Sequence, residues 1–253
     1  MRLHILSCLM GSIAIASHHH PGTVVIPRNS FRHFDAYWNE LYPWGDTHNG
    51  AARMVPSHIR ARHDGVLDLI SEPVTGQPDA TFNGQPLPIH YLSGTVYAKT
   101  NITVEAGGGY DFSAEFIAPT HVGTWPAFWI TSAVGWPPEI DIAEWKGTGD
   151  ISFNTFNTST VVKALDIPYP NPRRWHSVRA EIRDENGSDV SVRFYLDGTL
   201  RSTQYGSSYV GVPMYFIIDY QMEGSSGTPG PDFTTTFSIR SVEVLSFNPS
   251  AAT

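Results

Sequence analysis

The sequence predicts an all-β chain folded as a sandwich of two curved antiparallel sheets. Short runs rich in Val, Ile, Tyr, Phe and Thr alternate with turn signals along the body of the chain. The 22 Gly and 19 Pro follow no period, which points to many turns and therefore many short strands. No segment of ~12 residues shows a helical stripe. Antiparallel strands without helices must bury their apolar faces against one another, which a sandwich allows.

The elements follow in order. Residues 23–26 form the first expected strand, and an aromatic loop carrying Tyr37, Trp38, Tyr42 and Trp44 comes next. His63-Asp64-Gly65 is a turn leading into a strand at 66–71. Further strands are expected at 94–99, 110–117, 127–131, 139–145, 151–155, 175–183, 190–196, 214–220 and 235–247. Between 191 and 201 the chain reads as a strand, a tight Asp197-Gly198 turn and a return strand.

The chain has 253 residues, enough for one domain with a sizeable core. Its 41% hydrophobic and 12% aromatic content exclude a disordered chain, and its 16% charged content is too low for a coiled coil. The net charge is −8 and there is no basic run, so nucleic acid and anionic membranes are poor partners. A neutral or cationic substrate fits better.

The N-terminus reads as a processing signal. Met1-Arg2-Leu3-His4 precedes an apolar stretch from Ile5 to Ala16, and Ala14-Ile15-Ala16 gives the small-x-small pattern of a cleavage site. Residues 1–17 are therefore expected to be a secretory signal peptide, and residues 18–253 a single secreted, extracellular domain, taken as a monomer. The one cysteine, Cys8, lies in the signal, so no disulfide is expected in the mature chain. His18-His19-His20 offers no fixed geometry for a metal. Asn101, Asn157 and Asn186 open N-glycosylation sequons.

The chemistry concentrates at Pro138-Glu-Ile-Asp-Ile-Ala-Glu-Trp145. Alternation puts Glu139 and Asp141 on one face of a strand and Ile140 and Ile142 on the other. Strict alternation would turn Glu144 away, but a β-bulge returns it to the acids' face. Clustered carboxylates raise the pKa of at least one member. A retaining glycosidase needs one ionised nucleophile and one protonated acid, ~5–5.5 Å apart. An acidic solvent face or a calcium site also fits this strand taken alone.

The strand resembles the signature strand of glycoside hydrolase family 16, in the bulged form found in laminarinase-like members. Gly123-Thr-Trp-Pro-Ala-Phe-Trp-Ile130 is similar to the family's Trp-rich strand. Residues 93–99, 63–69, 175–176 and 192–198 are similar to its other strands, in order, over residues 45–247. The resemblance implies a β-jelly roll with an open concave cleft and a polysaccharide substrate. It implies Glu139 as nucleophile, Glu144 as general acid/base and Asp141 as the acid bonded to the nucleophile. It places Trp125 and Trp129 as cleft aromatics; core packing is the other reading of both. Trp136 and Trp145 flank the acids and are further candidates for sugar contact, and the late cleft strand offers Asp219 and Gln221.

Some positions depart from the family pattern. Arg240 stands where many relatives carry an Asp that helps bind calcium, so no metal and no other cofactor are expected. The strand after the acids lacks the His common in laminarinase-like members. The expected function is a secreted, endo-acting, retaining hydrolase of β-1,3- or mixed β-1,3/1,4-glucan. A β-galactan hydrolase, a transglycosylase and a non-catalytic glycan-binding module are the alternatives.

Overall fold

A computed structural model describes residues 22–249. The expected signal segment and His18-His19-His20 lie outside the described residues. The chain is a β-jelly-roll sandwich of two sheets, antiparallel except where Ala52–Met54 pairs parallel with Tyr91–Ser93 at one edge. The cleft sheet has seven strands, in the order Val161–Pro168, Asp150–Thr158, Glu139–Glu144, Thr124–Ser132, Met214–Met222, Thr95–Ala98 and Trp38–Glu40. The ten-stranded sheet behind it runs Thr199–Gly206, Val190–Leu196, His176–Asp184, Gly109–Ile117, Thr235–Ser246, Val66–Pro73, Tyr91–Ser93 and Ala52–Met54. Thr23–Ile26 and Ile59–Ala61 pair beside that path. Among the described residues, no helix is long and apolar enough to cross a membrane.

Alternation in the strands builds the core. Along Gly109–Ile117, Tyr110, Phe112, Ala114 and Phe116 are buried, and the intervening residues are half-buried. From the cleft sheet, Phe128, Ile140, Phe153, Phe216 and Ile218 face them, fully buried. Phe216 sits edge-on to both Phe112 and Phe128, at 5.1 and 5.0 Å between ring centroids.

Several strands carry little sequence signal. Val161–Pro168 is an edge strand, mostly exposed, with no apolar alternation to betray it. Trp38–Glu40 lies within the expected aromatic loop, yet Trp38 is buried against Phe31 and Phe216. A two-stranded hairpin, Ala80–Phe82 and Gln85–Leu87, stands apart from both sheets. Its turn residues Asn83 and Gly84 are both left-handed, at φ 50° and 74°, as such a hairpin requires.

Trp145 is a correction. It does not touch the cleft; it is fully buried, packed edge-on against Phe116, Tyr169 and Phe237 at 5.3–5.6 Å. The bulge is the cause: once Glu144 is returned to the cleft face, the next side chain must point into the core. Trp145→Ala is expected to cost ~3–5 kcal/mol of stability. A urea titration should show a lower midpoint at unchanged slope; an unmoved midpoint would contradict this packing.

Arg240 is engaged with a carboxylate and an aromatic ring. Its guanidinium forms a two-pronged pair with Glu115, at 3.0 and 3.2 Å, and stacks on Trp175 at 4.2 Å. A guanidinium occupying this carboxylate does not suit a divalent cation at the same oxygens, so the residues here do not fit the calcium of the resembled family.

Candidate active site

The acid strand is bulged as the spacing requires. Against Asp150–Thr158, Asp141 pairs with Asn154 but Glu144 pairs with Ser152, three residues against two. Against Thr124–Ser132, Glu139 lies opposite Thr131, Asp141 opposite Trp129 and Glu144 opposite Ala127. Ala127 leaves open floor between Trp125 and Trp129, and all three carboxylates line the chamber above it.

Each acid has its own set of donors. Trp136 Nε1 donates to Glu139 Oε2 at 3.1 Å. The Tyr209 hydroxyl accepts the Glu139 backbone N–H at 3.1 Å and lies 2.7 Å from the Glu139 carbonyl, which fixes the start of the strand. Asn154 Nδ2 bridges Asp141 Oδ2 and Glu144 Oε2 at 2.9 and 3.0 Å. Trp125 Nε1 donates to Glu144 Oε1 at 2.5 Å, and Lys146 Nζ reaches Glu144 Oε2 at 2.6 Å.

Burial dominates the electrostatics. It raises Glu139 to about 7, with the Glu144 charge adding to it and the Thr131 and Trp136 donors opposing it. Asp141 is pushed well up by burial, then by the charges of Glu144 and Glu139. The cluster therefore holds protons at neutral pH, shared among its members rather than owned by one. That lets one group attack as an anion while another donates a proton.

Asp219, on Met214–Met222 at the far side of Thr124–Ser132 from the acid strand, adds a further buried carboxylate to the chamber. Tyr42 donates to it at 2.6 Å and Trp129 Nε1 at 2.8 Å, yet burial still raises it to about 7. Gln221 lines the chamber, but its Oε1 is spent on the backbone N–H groups of Ala52 and Met222, at 2.9 Å each. Its Nε2 has no protein partner. Gly50 packs on this side chain; a Cβ there would come within 2.5 Å of Gln221 Cγ.

The expected aromatics divide. Trp125 and Trp129 line the chamber, Trp136 stands half-exposed at its mouth, and Trp145 does not take part. Trp136 leans on Phe156 at 5.6 Å. Trp129 stacks on His48 at 5.8 Å, and Trp44 stacks on Tyr42 at 5.1 Å. Past Glu139 the groove continues between Trp44, Phe82 and Trp136. Burial lowers His48 to about 4, so it is neutral there. Sequence reasoning did not single out Lys146, Asn154 or His48 for the site. Tyr42 and Trp44 carried one signal, the density of aromatics in residues 37–44.

Comparison places these features among known proteins. No family model matches the chain. A galactan endo-β-1,3-galactanase from Flammulina velutipes is 51% identical over 222 residues, covering 87% of this chain and 89% of the relative. The solved SCLam, a non-specific endo-β-1,3(4)-glucanase from family GH16, superposes with a TM-score of 0.67 at 15% identity, over 90% of this chain and 96% of that one. An endo-1,3-β-glucanase from Streptomyces sioyaensis superposes with a TM-score of 0.64 at 20% identity, over 85% and 91%. At those identities the two structures speak for the fold alone.

Proposed function

The chain belongs to glycoside hydrolase family 16 as an endo-β-1,3-glycan hydrolase, and from that premise we propose that it is a secreted, retaining endo-β-1,3-galactanase. The carrying observation is the 51% identity to the Flammulina galactanase over nearly the full length of both chains. It reverses the order read from sequence, where β-glucan stood first and β-galactan second.

In this reading Glu139 attacks the anomeric carbon and forms a glycosyl ester, while Glu144 protonates the leaving oxygen. Glu144 then takes a proton from the water that breaks the ester. Asp141 orients and shares charge with Glu139, and Asn154 ties Asp141 to Glu144. Trp125 and Trp129 hold the apolar C–H faces of the sugars, with Trp136 at the cleft mouth. Gln221 forms part of the chamber wall beside them. Secretion is supported by the pattern of residues 1–17.

A panel of β-1,3-galactan, laminarin, lichenan and agarose tests the substrate. Reducing ends should rise fastest on β-1,3-galactan, with internal cuts giving mixed oligomers. Faster release from laminarin would overturn the galactan reading, and products longer than the substrate would mean transfer rather than hydrolysis.

A further inference from the structure

Glu223 is a buried carboxylate that the acid cluster does not use. It follows directly on Met214–Met222, and its backbone is left-handed at φ 57°, a conformation that favours glycine. What glycine would lack there is the carboxyl. Oε2 accepts from His90 Nδ1 at 2.7 Å, and Oε1 accepts from Thr228 Oγ1 and from the Gly230 N–H, each at 3.0 Å. Burial works against the charge, but the bonds from Gly230, His90 and Thr228 outweigh it and hold the carboxyl below the ordinary glutamate range. His90 is a fixed anchor: its N–H bonds Ala51 O at 2.9 Å, and its carbonyl accepts the Val74 N–H at 2.7 Å. The carboxyl thus closes loop 223–231 on itself and ties it to the residue before Tyr91–Ser93.

The clasped loop forms one wall of the acid chamber, which its exposed Ser225 lines. Three contacts place it at the Glu144 end. Gly224 lies on the Trp125 indole, where a Cβ would come within 2.7 Å of Cζ3, and that indole donates to Glu144 at 2.5 Å. Ser226 O lies 2.9 Å from where a Cβ on Gly147 would stand, one residue after Lys146, whose Nζ reaches Glu144 at 2.6 Å. The Glu223 N–H bonds Gly123 O, and the Gly123 N–H bonds Ser226 O, both at 2.8 Å. Gly123 precedes Thr124–Ser132, and along that strand Ala127 lies opposite Glu144 while the far residue Thr131 lies opposite Glu139.

We propose that Glu223 is a positioning residue for the leaving chain. Its clasp on His90 holds loop 223–231 so that the Ser225 hydroxyl bonds a hydroxyl of the first sugar beyond the cleaved bond. The ligand is a neutral β-1,3-linked sugar. The side of the bond follows from Glu144, which protonates the leaving oxygen, so the proposal rests on the acid/base reading of Glu144.

Glu223→Gly, Glu223→Gln and Ser225→Ala test it on two substrates. One is an oligosaccharide of whichever β-1,3-glycan the wild type cuts; the other is an aryl glycoside, whose leaving group is no sugar. Glu223→Gly suits the left-handed backbone but removes the clasp. Its kcat/KM on the oligosaccharide should fall ~10-fold further than on the aryl glycoside, mainly through KM. Glu223→Gln keeps an oxygen for Thr228 and Gly230 and offers an N–H to a neutral His90, so the ratio of the two substrates should stay within ~2-fold of wild type. Ser225→Ala should lower that ratio ~5-fold, the worth of one hydroxyl bond. Should Glu223→Gly fail to fold, His90→Ala removes the anchor instead and is read in the same way. A merely structural role would lower both substrates alike in the clasp variants, and that result overturns the proposal. So does a loss in Glu223→Gln as large as in Glu223→Gly, or a wild-type ratio in Ser225→Ala. Failure of the acid/base reading shows separately, as a Glu144→Ala variant whose kcat/KM falls equally on both substrates. Failure of the galactan reading shows as a different substrate preference of the wild type.

Discussion

Glu139→Gln is expected to lower turnover by on the order of 10⁴-fold or more while leaving oligosaccharide binding in place. The amide keeps the size of the carboxyl and can still accept from Trp136 Nε1, which reaches the native Oε2 at 3.1 Å. What it loses is the anion that attacks the sugar. The contacts of the Glu139 backbone to Tyr209 do not involve the side chain, so the strand should hold its place. Stability should not fall, because the variant no longer buries a group whose charge burial penalises. The sign of the pH dependence follows as well. Attack needs the ionised form, and burial raises Glu139 to about 7, so the acid limb of the wild-type profile should lie near neutrality rather than in the ordinary carboxylate range. Residual activity above a few per cent, with binding intact, would remove Glu139 from the nucleophile's role.

The sequence shows this strand plainly because its acids obey a short-range rule. Glu139 and Asp141 are two residues apart, Ile140 and Ile142 fill the core between them, and one bulge accounts for Glu144. The same rule, applied without carrying the bulge one residue further, misplaces Trp145. The rest of the site depends on tertiary neighbours that no local pattern reveals. Tyr42 and Asp219 are 177 residues apart in the chain and 2.6 Å apart across the cleft. Asn154 bridges two acids only because the bulge offsets Asp150–Thr158 against them. The sandwich is legible for a related reason: its central strands are buried on alternate residues. The edge strand Val161–Pro168 is mostly exposed, and its side chains carry no such pattern.

Glu144→Ala should depend on the leaving group. Glu144 is gripped at both oxygens, by Trp125 Nε1 at 2.5 Å, Asn154 Nδ2 at 3.0 Å and Lys146 Nζ at 2.6 Å, so it approaches a bound bond from a fixed direction. A galactan leaving oxygen needs its proton, and cleavage of the polymer should fall by ~10²–10⁴-fold. An aryl glycoside with a good leaving group needs no proton to depart, so its first step should stay close to the wild-type rate. The ester on Glu139 then accumulates, because no base remains to activate water. Azide needs no base: it attacks the anomeric carbon, displaces the Glu139 carboxylate and should restore turnover as a β-glycosyl azide. Both acids lie on one side of one strand, which favours the short ~5–5.5 Å carboxyl gap of retention over the ~6.5–9.5 Å that must lodge a water for inversion. Proton NMR of the first product of the wild-type enzyme checks the same point independently. A β-anomer appearing first supports two displacements through Glu139. An initial α-anomer, or an azide product of inverted configuration, would mean a single displacement, by water or by azide respectively, and would dismantle the roles assigned to both residues.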